Sequence, residues 1–207
     1  VYGATLKSQG HVDLLLNNNL SEILNIRIQT YYIKKYVILF SIKSLGGGTV
    51  LDLGVYGIQF ACLIFNNEIP HTVQAAGCLN EEGVDQSVST TFLYKGNRTA
   101  TIITHCLVDL PNEAYIIGTK GMIKVPNFWC PTTIELPSGK INIPLPETEY
   151  KFNFINSIGF IYEANEVRNC ILAGVTESSK IPHNVSLLVA QLEDEIRRQV
   201  GVTYLED

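Results

Sequence analysis

The stretch from Gly46 to Tyr56, GGGTVLDLGVY, carries the pair of side chains best placed for chemistry. Asp52 and Tyr56 stand four residues apart, so on a helix they project from one face, one turn from each other. A phenol beside a carboxylate can give or take a proton once a cation such as lysine lowers the tyrosine from its ordinary pKa of about 10. Gly54 between them leaves the helix surface thin, open to close approach by a ligand or a second helix. The same residues also fit a plain reading, with Asp52 as a first-turn dipole partner and Tyr56 as a half-buried core aromatic. Other reactive types are less well placed. His105 and Cys106 are neighbours in a β-rich run, so they face opposite ways and form no nucleophile–base pair. His71 and His183 each follow a proline in a loop, without metal-ligand spacing, and no metal site is expected. Cys130, beside Trp129, reads either as a pocket wall or as a buried inert thiol. The cluster Glu193-Asp194-Glu195 with Arg197-Arg198 reads as a solvated helix face, paired as Asp194 to Arg198.

Elements must hold these residues in place. Leu51, Val55, Ile58, Cys62 and Phe65 recur at three- and four-residue steps, which predicts a helix over about 50–65, entered through the Gly46-Gly47-Gly48 turn. Upstream, residues 22–33 suit a strand, residues 34–45 are ambiguous between helix and strand, and a weak helical pattern runs through Val12–Leu16. Downstream come seven segments rich in Val, Ile and Thr: HTVQAAGCL, DQSVSTTFLY, TATIITHCLVDL, EAYIIGT, MIKVPN, TTIEL and KINIPL. Turns such as Lys95-Gly96-Asn97 and Pro137-Ser138-Gly139 join them too briefly for parallel crossovers, so antiparallel neighbours are expected. Helices over about 160–173 and 185–200 close the chain, the first capped by Gly174, the second opened by Asn184 and ended by Gly201. The sum predicts an α+β domain, a large open antiparallel sheet with helices on one face.

Composition removes several classes of function. With 207 residues, 46% apolar, 17% charged and a net charge of −5, the chain is expected to fold rather than to stay disordered. No basic block exists, so nucleic acid is not an expected partner, and no window holds 18 uninterrupted apolar residues, so no membrane span is expected. The five cysteines are scattered without a CxxC pair, which suits a reducing compartment, the cytoplasm. The sequons at Asn19, Asn97 and Asn184 read as chance. An opening Val1 suggests a chain that begins partway through a longer product or follows processing.

GGGTVLDLGVYGIQF closely resembles the helix that opens the C-terminal domain of the Gfo/Idh/MocA oxidoreductases, where an Asp-x-Gly-x-His/Tyr motif faces nicotinamide and substrate. The resemblance extends through EEGVD (81–85), IIGTKGMIKV (116–125), NFWCPT (127–132) and YEANEVRNCILAG (162–174), and faintly over 12–32, which resembles the junction into the first sheet strand. Tyrosine in place of histidine, with Trp-Cys-Pro, is most similar to the branch whose dimeric members use NADP to oxidise trans-dihydrodiols and aldopyranoses such as D-xylose. The resemblance implies Tyr56 as general acid/base, Asp52 as the residue that orients the substrate or the tyrosine, and Trp129 and Phe154 as apolar walls of the substrate pocket. In that branch Asp follows the phenylalanine, whereas Ile155 stands here. The implied division is 46–207 as a substrate-binding and dimerisation domain, with 1–45 a remnant of the junction from a missing N-terminal Rossmann domain. Neither a G-x-G-x-x-G turn nor the family's Glu-Lys-Pro occurs, so NADP would be held mainly by that missing part. A homodimer through the open sheet face is implied as well, and the alternative is a non-enzymatic scaffold that pairs through it. On that face the alternation in STTFLY and TIITHCLV is expected to present Thr, Phe, Ile and Cys.

Overall fold

The computed structural model describes residues 22–31, 41–205 and 207. The expected pattern at Val12–Leu16 and most of the ambiguous run 34–45 lie outside the described residues. Eight strands form one sheet: β1 (Ile23–Tyr31), β2 (Thr72–Leu79), β3 (Asp85–Tyr94), β4 (Arg98–His105), β5 (Glu113–Gly118), β6 (Gly121–Pro126), β7 (Thr133–Leu136) and β8 (Gly139–Asn142). Their order is β2-β3-β4-β1-β5-β6-β7-β8. The seven downstream strands fall where the β-branched runs predict them. Neighbours are antiparallel except β1 and β4, which run parallel with Ile26 opposite Ala100 and Ile28 opposite Ile102. Short turns dictate the hairpins, but β1 precedes them by 40 residues of chain and is free to enter the centre in the other direction.

The helix at 50–65 is composite. Val50–Gly54 forms a π turn and α1 (Val55–Ile64) continues from it. Apolar on nearly every side, this helix lies between the sheet and α3 (His183–Val200), with Ile58, Phe60, Ala61 and Cys62 almost wholly buried. The longer segment Lys43–Ile64, which takes in the short 3-10 turn Lys43–Leu45, is long and apolar enough to span a bilayer, yet 72% of its apolar window is buried inside the fold, so the core accounts for its composition. Gly57 is set by packing, because a Cβ there would fall 2.7 Å from the Ile102 methyl on β4. On α3 the inward stripe is Val185, Leu188, Val189, Leu192 and Ile196, and Gly201 closes the helix at φ 90°.

Several expectations change. Pro182, not Asn184, precedes the first turn of α3, and His183 is its first residue rather than a loop residue. Arg197 pairs with Asp194 at 2.6 Å and Arg198 with Glu195 at 2.6 Å, in place of the Asp194–Arg198 pair. α2 (Phe160–Leu172) carries no buried residue and stands apart from the core, with an open groove of about 640 Å³ along it. On the sheet face away from α1 and α3, the outward residues are Ser89, Thr91 and Leu93 on β3 and Thr99, Thr101, Ile103 and His105 on β4. Phe92 at 0% and Cys106 at 2% exposure are turned inward, contrary to the expected outward Phe and Cys. The opposite facing of His105 and Cys106 is as the strand period requires.

Candidate active site

The site begins at the glycine turn. Asp85, the first residue of β3 and 0% exposed, sends one carboxylate oxygen to the start of the helical stretch. That Oδ2 accepts from the Thr49 amide at 2.7 Å, the Thr49 hydroxyl at 2.8 Å and the Val50 amide at 2.8 Å. Because the Thr49 hydroxyl spends its hydrogen on Asp85, its 2.8 Å contact with the Thr104 hydroxyl is donated by Thr104. The other oxygen, Oδ1, lies only 2.4 Å from where a Cβ on Gly48 would sit, and Gly48 holds a left-handed φ of 124°. The third glycine is therefore a packing requirement as well as a breaker. Sequence reasoning missed Asp85, since nothing in EEGVD links it to a turn 36 residues upstream.

Asp52 lies within the π turn and Tyr56 in the first turn of α1, so the pair straddles the junction of two helical forms. π turns inside helices recur at functional sites. The Asp52 carboxyl reaches solvent, yet the packed atoms beneath it strip enough water to hold its pKa above the ordinary carboxylate value. Tyr56 is half-buried and packs against the core cluster. Gly54 is buried rather than presented at an open surface, and the atoms nearest to a Cβ built on it belong to Thr49 and Val50, at 3.7 Å or more.

Trp129 and Phe154 belong to two loops that are fastened to each other. The Asn156 side-chain Nδ2 donates to the Cys130 backbone carbonyl at 2.9 Å, and the Cys130 thiol donates to the Asn156 backbone carbonyl at 3.6 Å. Cys130 is 2% exposed, which favours the buried-thiol reading, whereas Trp129 is half-buried and Phe154 is 38% exposed. A route connects these loops to the helix. Phe60, one turn beyond Tyr56 on the same side of α1, meets Phe128 edge-on with centroids 5.7 Å apart, and Trp129 follows Phe128 directly. Sequence reasoning had not singled out Phe60 or Phe128, whose types alone say only that they are core.

The helix N-terminus behind Gly46–Gly48 is capped by the Asp85 carboxylate, which complements its positive end. Among the described residues no group of His, Cys, Asp or Glu could hold a metal ion.

Comparison with known proteins identifies the family and the fold. A trans-1,2-dihydrobenzene-1,2-diol dehydrogenase of Danio rerio is 47% identical over 166 residues, which is 80% of this chain and 50% of that protein. The protein of the same name from Homo sapiens is 35% identical over 166 residues, again 80% and 50%. The chain thus spans about half the length of the curated relatives it matches. Among solved structures, an aldose-aldose oxidoreductase from Caulobacter crescentus complexed with glycerol superposes with a TM-score of 0.71 at 17% identity, over 96% of this chain and 58% of that one. KijD10, a 3-ketoreductase from Actinomadura kijaniata in complex with NADP and TDP-benzene, does so with a TM-score of 0.71 at 18% identity, over 96% and 60%. At such identities these two attest to the fold. The family model described as the GFO/IDH/MocA C-terminal domain matches residues 13–124, more than half of the sequence, and the chain belongs to that family.

Proposed function

We propose that this chain is the substrate-binding and pairing part of an NADP-dependent dehydrogenase acting on trans-dihydrodiols or aldopyranoses. The observation that carries the reading is the Asp52–Tyr56 pair at the π-to-α junction, in a chain 47% identical to a dihydrodiol dehydrogenase. Oxidising an alcohol removes a hydroxyl proton and a hydride. Tyr56 is the residue we assign to the proton: its phenolate oxygen accepts it from the substrate hydroxyl, and Asp52 orients the phenol or the adjacent hydroxyl. Trp129 and Phe154 supply apolar walls that exclude water and hold the ring of the substrate. NADP is the cofactor of this reading, held mainly by residues that this chain does not contain, so residues 46–207 act as the substrate domain and 1–45 as the junction to a Rossmann part.

Pairing belongs to the same reading. The outward sheet face, lined by Thr91, Thr101, Ile103 and their neighbours, is not covered by α1 or α3, and we assign it to a second copy of the chain. Five free thiols suit a reducing compartment, and the cytoplasm is proposed as the location. The non-enzymatic alternative, a scaffold that only pairs, rests on that same open face. Turnover separates the two. In the protein carrying its full native reading frame, Tyr56→Phe is expected to lower kcat for a dihydrodiol or D-xylose by about 10²–10⁴-fold, the usual weight of a general acid/base. Unchanged turnover removes Tyr56 from the reaction, and no NADPH binding by the full-frame protein leaves the scaffold.

A further inference from the structure

We propose that Asp85 is a positioning residue of this site, holding the turn that presents Asp52 and Tyr56 from the far end of β3. The proposal rests on the acid–base reading of Tyr56. Its geometry is independent of that reading. Three donors converge on one buried oxygen, and all three belong to the two residues that begin the helical stretch, so the carboxylate sets where the helix starts and how it is turned about its axis. Asp52 follows Val50 by two residues and Tyr56 by six, within the reach of a rigid turn. The negative charge also complements the positive end of the helix, which an uncharged acceptor does only in part.

A second fastening acts on the preceding glycines. The Tyr204 hydroxyl donates to the Gly47 carbonyl, and the Tyr204 ring lies under the Arg197 guanidinium at 5.1 Å. Arg197 in turn grips Asp207 at 2.8 Å and Asp194 at 2.6 Å, while the Tyr204 amide donates to Asp207 at 2.9 Å. The chain end after α3 and the first residue of β3 thus hold Gly47–Val50 from two sides. No donor meets the Asp85 Oδ1 among the described residues.

Asp85→Asn keeps an acceptor for the two amides but discards the charge, and Thr49→Val removes one of the three bonds while keeping the shape. Both are tested in the protein with its full native reading frame, by steady-state kinetics and by hydrogen exchange of backbone amides. For Asp85→Asn, kcat is expected to fall about 10–100-fold with KM changed less than about threefold, as for reacting groups misplaced by a fraction of an ångström. Amides 49–54 are expected to exchange at least about tenfold faster while those of β1, β3 and β4 hold, and Thr49→Val is expected to shift the same quantities by less. Unimpaired kcat overturns the proposal, and so does exchange that rises equally across the whole sheet. Tyr56→Phe is assayed alongside. If it is inactive and Asp85→Asn is unimpaired, only the positioning role fails. If Tyr56→Phe turns over normally, the acid–base reading fails, and exchange at 49–54 alone decides whether Asp85 holds the turn.

Discussion

Glu193 shows how far one side chain can depart from what its neighbours in sequence suggest. Within a run of charges it reads as solvated, yet one of its oxygens is enclosed without a donor among the described residues. Burial, with a smaller contribution from Asp194, raises its pKa to about 8 against the opposing pull of Arg197. Between the unfolded value of about 4.3 and about 8, the native chain keeps a proton that the unfolded chain releases. Stability therefore falls as pH climbs through that window. Glu193→Gln is expected to stabilise the protein by about 1–3 kcal/mol at pH 8, by less at pH 5, and not at all below pH 4, as read by urea denaturation. A gain that ignores pH would mean that the carboxylate is hydrated. Spacing along a helix identifies which residues share a face, and it is how Asp52 and Tyr56 were found. It does not say how deep that face lies, which is why the burial of Glu193 and Arg197 is not legible in it, while Asp85, on a strand, is tied to the helix by a contact 36 residues away in sequence.

The helix from Val50 to Ile64 is legible in sequence as an element and illegible as a path. Apolar residues at three- and four-residue steps mark it, but a π turn and an α-helix write nearly the same pattern over five residues. Its two inner glycines look alike in sequence and differ in structure. Gly57 abuts Ile102, so Gly57→Ala is expected to cost about 1–3 kcal/mol by overpacking. Gly54 meets only ordinary contacts from its own stretch, so Gly54→Ala is expected to be neutral or to gain up to about 1 kcal/mol from helix propensity. Chemical denaturation of the two variants checks the pair. A Gly54→Ala protein that is stable and yet inactive would show that its bare backbone serves a ligand's approach.

At the level of the whole molecule, strands and hairpins were readable because alternation and turn residues are local, and seven of the strands follow one another as neighbours or near-neighbours. The parallel pairing of β1 with β4 was not readable, since no local signal states where a lone strand joins a sheet. The proposed pairing through the open face has its own check. Ile103→Arg places a charge amid Gln29, Ser89 and Thr101 on that face and is expected to convert a dimer to a monomer in light scattering at micromolar concentration. A dimer that survives the change moves the interface elsewhere. The central place of β1 has one more consequence. Among the described residues β1 alone hydrogen-bonds β2-β3-β4 to β5-β6-β7-β8, so a chain lacking Ile23–Tyr31 would leave the facing edges of β4 and β5 without their ladder, a product headed for aggregation rather than for partial activity.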